Sequence, residues 1–265
     1  MVIFIILFFC LSLQNSLAQE TTPVSLFNQY QSDYVYQYNL YQQAYSKYTE
    51  KSQIYAKYKT ITTQKDKIST AISAINARNL TLKSYFMALR VLLDQSKSAN
   101  PDTTQAIQDK LSLLENWITD QSAIILTLDD LDKLQQYATS FQKKYIEIQQ
   151  IVYTALVQNE VNLRQLTLNE LQSLTDIIKN NPQIKPESQQ WIATLSTESD
   201  SVSFSLTNAL NLTKKEQFTT NFINFYPSSQ DQLNNAQNRL IKITSDLKLI
   251  VNRFYQPWTK IQTTN

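Results

Sequence analysis

Residues 134–166 read LQQYATSFQKKYIEIQQIVYTALVQNEVNLRQL and repeat apolar side chains at steps of three and four residues. The row consists of Leu134, Ala138, Phe141, Tyr145, Ile148, Val152 and Ala155, and Asn159, Asn162 and Leu166 continue its register. This spacing is typical of one face of an α-helix. It recurs at residues 68–93 and 240–254, while no two-residue alternation is sustained. We therefore predict an all-α protein, a bundle or elongated array of long antiparallel helices arranged as helical hairpins.

The composition excludes many catalytic classes, because the 265 residues include no glycine and no histidine. Phosphate-binding loops, the nucleophile elbow and the EF-hand turn all need glycine. Ser-His-Asp catalysis and histidine metal sites need the imidazole. The cluster of Asp129, Asp130 and Asp132 falls at a predicted helix start, where the helix dipole favours carboxylates. We expect no enzymatic activity, no catalytic residues, no cofactor and no metal site.

The first residues have the features of an export signal. Residues 2–13 are apolar, and the small residues Ser16 and Ala18 precede the expected cleavage site. We predict a signal peptide at 1–18 and a secreted or cell-surface all-helical region at 19–265. The apolar run is too short to span a bilayer, and no second apolar run follows it, so we expect no membrane span after cleavage. Lipidation of Cys10 is disfavoured because Phe8 and Phe9 replace the small residues of a lipoprotein signal.

Prolines and capping boxes predict helix starts near residues 23, 101, 128, 168, 186, 214 and 228. Pro23, Pro101, Pro182 and Pro257 are spaced by 78, 81 and 75 residues, and each interval contains an Asn-x-x-Asn element. We interpret this as three degenerate hairpin units of about 80 residues, at 23–100, 101–181 and 182–257. The alternative is coincidence, because asparagine is abundant throughout the chain.

A row of tyrosines opens the chain after the leader. Its members keep a 3.5-residue spacing that places them on one helix face, and we call them the tyrosine strip: Tyr34, Tyr38, Tyr41, Tyr45, Tyr48 and Tyr55. The strip is our candidate binding site, because tyrosine gives broad, rigid contact with a protein or a sugar. The alternative is packing against neighbouring helices with the hydroxyls at the rim.

Asparagines interrupt the apolar rows at Asn79, Asn159 and Asn162. They either fix the register of buried helices or mark helix ends. Asn79 with Thr81, and Asn211 with Thr213, also form glycosylation sequons.

The residues from Tyr34 to Gln95 include a YKT segment at 58–60, an AR pair at 77–78 and an ALR segment at 88–90. Together with the tyrosine-rich opening helix, they resemble an uncharacterised family of exported, all-helical proteins from small-genome candidate-phylum bacteria. The resemblance covers about a quarter of the chain. It implies a helical, exported protein and no known activity.

Our leading hypothesis is a non-catalytic, secreted or cell-surface binding or scaffold protein of the cell envelope. Its tyrosine strip would contact a protein or glycan partner, and a homo-oligomer is compatible with the charge pattern, because a basic first third is followed by an acidic middle third. No nucleic-acid partner is expected, since lysine and arginine form no concentrated stripe. The alternative is an extracytoplasmic holdase-type chaperone. A pore-forming toxin is weaker, because the apolar segments after the leader are short.

Overall fold

The computed structural model describes residues 26–96, 101–180, 189–214 and 222–254. The helices in these ranges are α1 (Leu26–Tyr58), α2 (Ile61–Gln95), α3 (Pro101–Ile125), α4 (Leu131–Lys179), α5 (Gln189–Asn211) and α6 (Phe222–Phe254). No strand occurs within the described ranges, and the predicted all-α class is confirmed. The predicted signal peptide at 1–18 lies outside them. None of the helices described has the length and apolar character of a membrane span.

The longest helix, α4, joins two hydrophobic cores. Its 49 residues extend over about 73 Å at 1.5 Å per residue. Buried apolar side chains of α4 up to Leu156 belong to a core with α1, α2 and α3, whereas those from Val157 onward belong to a core with α5 and α6. We call these two groups the N-terminal bundle and the C-terminal bundle. The molecule is therefore elongated, with α4 as the element common to both bundles.

Consecutive helices are antiparallel, as side-chain contacts far apart in sequence show. Tyr34 at the start of α1 contacts Tyr85 near the end of α2, and Arg239 of α6 pairs with Glu198 of α5. The proline intervals coincide with the pairs α1–α2, α3–α4 and α5–α6. However, α3 packs more extensively against α2 than against α4. The three-unit repeat stays a prediction.

Local hydrogen bonds explain the starts of α4 and α2. The sequence predicted the first near residue 128, and α4 begins at Leu131, whereas the second was not predicted. Asp130 caps α4, because its Oδ1 accepts a hydrogen bond of 2.7 Å from the backbone N of Lys133. Between α1 and α2 the chain turns at Lys59, whose φ of 50° lies in the left-handed region. Thr60 and Thr63 then form a reciprocal capping box at the start of α2. Sequence analysis missed this start, because neither proline nor a glutamate capping partner marks it.

Two other predicted starts are wrong. The start near 168 falls inside α4, where the hydroxyl of Thr167 donates to the carbonyl of Leu163 and does not cap a helix. The start near 228 falls inside α6, which includes Pro227 as its sixth residue. A proline so close to a helix start removes one backbone hydrogen bond without ending the helix. The start near 214 is followed by residues 215–221, which lie outside the described ranges.

Buried asparagines connect α4 to α2 and α3. Asn79 of α2 donates through Nδ2 to the Ser122 hydroxyl of α3 at 3.3 Å and to the Tyr137 hydroxyl of α4 at 3.5 Å. Asn162 of α4 donates to the Ser96 hydroxyl at 2.8 Å, beside the link from α2 to α3. Both residues lie inside helices, so the alternative that they mark helix ends is wrong. Such bonds fix the axial position of α4 against its neighbours.

Candidate functional site

The tyrosine strip follows one face of α1. Ring centroids are 6.2 Å apart for Tyr34 and Tyr38, 5.9 Å for Tyr41 and Tyr45, and 6.2 Å for Tyr45 and Tyr48. Tyr55, nearer the end of the helix, contacts Lys67 of α2, whose Nζ is 5.1 Å from the ring centroid. The rings are therefore arranged in one row along the helix.

The strip has two environments. Tyr34 is 3% exposed and its ring centroid is 5.1 Å from that of Tyr85 in the core, whereas Tyr45 is 47% exposed. Burial, with a smaller contribution from Tyr38, raises the pKa of Tyr34 to about 12. Tyr34 is a packing residue, and the strip becomes accessible to solvent further along α1.

Three strip tyrosines line a cleft of about 460 Å³ between α1, α2 and α4. Its remaining lining comes from α2, with Lys67, Ala71, Ala74, Ile75 and Arg78, and from α4, with Leu131, Asp132, Leu134, Gln135, Tyr137 and Ala138. We call this space, with Tyr41, Tyr45 and Tyr48 as its wall, the tyrosine cleft. Alanines at 71, 74 and 138 leave room where α2 and α4 face the large rings of α1. The structure thus places Tyr34, Tyr38 and Tyr55 outside the cleft lining.

Arg78 is the principal charged group of the tyrosine cleft. Its guanidinium carbon lies 3.4 Å from the centroid of the Phe141 ring, and its Nη2 donates to the Asn79 Oδ1 at 3.1 Å. The Nε is buried and has no acceptor among the described residues. Burial lowers the pKa of Arg78, and its interactions with Tyr137 and Tyr41 oppose that change. The cation is held rigidly by an aromatic ring and an amide.

Arg78 lies in the apolar row of α2, three residues after Ile75 and four before Leu82. Sequence analysis treated Asn79 as the polar member of that row and overlooked Arg78. The spacing itself was the available signal, since a charged residue at a core position needs a partner or a function.

The other ionisable groups of the cleft are few. Burial is the main cause that raises the pKa of Tyr41, and the charge of Arg78 acts in the opposite direction. Lys67 and Asp132 complete the charged lining. The cleft lining therefore combines aromatic rings, hydroxyls, two cations and one carboxylate, and this combination is suited to binding.

The other candidates have structural explanations. Asp129 and Lys133 form an exposed ion pair of 2.6 Å, which lowers the pKa of Asp129, and Asp130 caps α4. Asn79 is 0% exposed, so its sequon is inaccessible in the folded protein. In the portion of the chain that is described, no three cysteine, aspartate or glutamate residues are placed to hold a metal ion.

No protein-family model matches the sequence, and neither a curated protein nor a solved structure matches it. The resemblance to exported proteins of candidate-phylum bacteria stays a prediction.

Proposed function

We propose that the protein is a non-catalytic, exported binding or scaffold module of the cell envelope that engages its partner through the tyrosine cleft. The observation that carries this proposal is the cleft itself: Tyr41, Tyr45 and Tyr48 line an open space of about 460 Å³ between three helices. The volume falls within the range of about 300–1,000 Å³ that is typical of ligand sites.

The chemistry of tyrosine supports a binding role at this position. A fully buried phenol needs a hydrogen-bond partner, and leaving its hydroxyl unpaired costs about 1–3 kcal/mol. Tyr45 avoids that cost because it is 47% exposed. An accessible tyrosine has only two side-chain torsions to immobilise, so it offers a large contact area at a small entropic cost. Tyr34, in contrast, supports the packing interpretation for the beginning of the strip.

A pair of alanine variants on α1 tests the proposal. Tyr45 lines the cleft, whereas Tyr36 is 61% exposed and lies outside the cleft lining. We expect saturable binding of the purified protein to isolated envelope material, weakened about tenfold by Tyr45→Ala, since aromatic anchors dominate binding energy. Tyr36→Ala is the matched control and should leave the affinity unchanged. Equal affinities for the wild type and both variants would contradict a role for the cleft.

The holdase alternative has a separate observation in its favour. Leu113, Leu126 and Phe204 are 68%, 69% and 68% exposed, and exposed apolar side chains are what an unfolded client would contact. Suppression of the aggregation of a model client at stoichiometric amounts would support the alternative. Retention of that suppression in Tyr45→Ala would separate it from binding in the cleft.

A further inference from the structure

The charge of Arg78 has no carboxylate partner in the described structure. Every ion pair among the side chains described, which are those of residues 26–96, 101–180, 190–214 and 227–250, joins residues other than Arg78. A charge taken out of water is costly unless an opposite charge or several hydrogen bonds compensate it. Arg78 contacts the Phe141 ring, donates to the Asn79 amide and interacts with Tyr137, and none of these three partners carries a carboxylate. An anion bound in the tyrosine cleft would supply the opposite charge that Arg78 lacks.

We infer that the tyrosine cleft binds an acidic sugar, which is a sugar ring that carries a carboxylate or phosphate group. The guanidinium of Arg78 binds the anionic group. This inference rests on the proposed binding function of the cleft. It adds the chemical class of the ligand and the residue that selects it.

The rigidity of Arg78 favours recognition of an oxyanion. The planar guanidinium matches carboxylate and phosphate oxygens, and its hydrogen bonds to them are charge-assisted. Contact with Phe141 and the bond to Asn79 hold the group in one orientation, so little conformational freedom is lost when a ligand binds. Asn79 is itself held by Ser122 and Tyr137. The guanidinium of Arg78 is therefore held in place by residues of α2, α3 and α4.

The surrounding groups favour a ring over a peptide. All three walls are helices, whose backbone groups are bonded within each helix, so an extended peptide finds no edge with which to pair. Tyrosine rings offer faces to the C–H surface of a sugar, and their hydroxyls and the Gln135 amide offer hydrogen bonds to its hydroxyls. Lys67 adds a second cation, and Asp132 is the opposing carboxylate in the lining. The balance of charge favours an anion and disfavours a quaternary ammonium ligand.

Calorimetric titration of the purified protein with three small probes tests the inference. The probes are methyl glucuronide with a carboxylate, glucose 6-phosphate with a phosphate, and methyl glucoside with neither. We expect at least one acidic probe to bind at least tenfold more tightly than the neutral sugar, as expected for a charge-assisted hydrogen bond. The tighter acidic probe identifies the anionic group. Equal affinity for all three, or tighter binding of the neutral methyl glucoside, overturns the inference.

Arg78→Gln should remove the preference for acidic probes, while Lys83→Gln should retain it. Lys83 is a matched control, because it also supplies one cation on α2 but donates to Thr119 outside the cleft. If Arg78→Gln fails to fold by circular dichroism, Arg78→Lys replaces it, with the charge kept and the planar fork lost; we expect a severalfold weaker acidic preference. A preference that survives the loss of Arg78 contradicts its assigned role.

Failure of this inference is distinguishable from failure of the proposed function. If envelope binding depends on Tyr45 but no acidic sugar is preferred, the inference is overturned and the binding function stands. If envelope binding does not depend on Tyr45, the proposed function itself is contradicted.

Discussion

The two bundles that share α4 have cores of different chemistry. In the part of the chain that is described, the C-terminal core consists of buried valine, leucine, isoleucine and alanine side chains. The N-terminal core adds buried aromatic residues, such as Tyr85, Phe86 and Phe141, and contains the Arg78–Asn79 pair beside the tyrosine cleft. Buried polar side chains beside the C-terminal core include Ser199 and Ser229, whose hydroxyls donate to backbone carbonyls, whereas the Arg78–Asn79 pair of the N-terminal bundle adjoins an open cleft. The comparison indicates that stability and binding are divided between the two bundles.

The largest expected effect comes from a cavity in the C-terminal core. Leu206 is 2% exposed, and Leu206→Ala should lower the free energy of unfolding by about 2–5 kcal/mol, because the lost packing leaves a void. Chemical denaturation followed by circular dichroism measures the change. Leu113→Ala, at an exposed position, should change it by less than about 0.5 kcal/mol. Binding in the tyrosine cleft should persist below the melting temperature of Leu206→Ala, and its loss there would contradict the division between bundles.

A pH effect separates the buried from the accessible part of the tyrosine strip. The pKa of Tyr34 is raised to about 12 by burial, so the folded state favours the neutral phenol. The corresponding stability is fully present below pH 10, the ordinary value, and is lost as the pH rises towards 12. We expect the wild type to lose about 1.4 kcal/mol more than Tyr34→Phe per pH unit in this window. Urea denaturation between pH 9 and 11.5 measures this difference.

Tyr36→Phe is the control for that experiment, because Tyr36 is exposed on the same helix. It should keep the steep wild-type dependence on pH. If Tyr34→Phe and the wild type lose stability in parallel, Tyr34 is not the buried anchor of α1.

The smallest expected effect concerns the turn that joins α1 to α2. Lys59 adopts a left-handed conformation, φ 50°, that costs a residue with a Cβ about 1 kcal/mol and costs glycine almost nothing. Lys59→Gly should therefore stabilise the protein by about 0.5–1 kcal/mol, measured by urea denaturation. Lys57→Gly, inside the last turn of α1, should destabilise it by a similar amount. A destabilising Lys59→Gly would mean that the lysine side chain stabilises this turn.

The sequence predicted the helices well because apolar periodicity is a local property. The rows at 68–93, 134–166 and 240–254 all lie within single helices of the structure. It predicted the breaks less well, because Thr167 with Glu170 has the sequence of a capping box and Thr60 with Thr63 does not. Thr60 begins a helix through a capping box, whereas the Thr167 hydroxyl bonds back to Leu163 within one. Whether a threonine caps a helix start or lies inside a helix depends on whether tertiary packing stabilises the helix on both sides of it.

The candidate site was predicted only in part. The tyrosine spacing identified α1 and its face, but it treated Tyr34 and Tyr45 alike. Arg78 was overlooked although its position in the apolar row of α2 marked it, and only the structure shows that it contacts Phe141 of α4. For Asn79 and Asn162 the sequence left two interpretations open, register fixing and helix termination, and their partners Ser122 and Ser96 became known only when the helices were placed.

The sequence, which contains no glycine and no histidine, by itself determined that the chain forms long helices. It also determined which face of α1 carries the tyrosine strip. The direction of a side chain around a helix axis follows from the local 3.6-residue period alone. Only the tertiary structure decided that α4 belongs to both bundles, that Tyr34 is buried, and that Arg78 and Tyr41 line the same cleft. Those features depend on how far apart the helices pack, which is set jointly by the volumes of side chains from several helices.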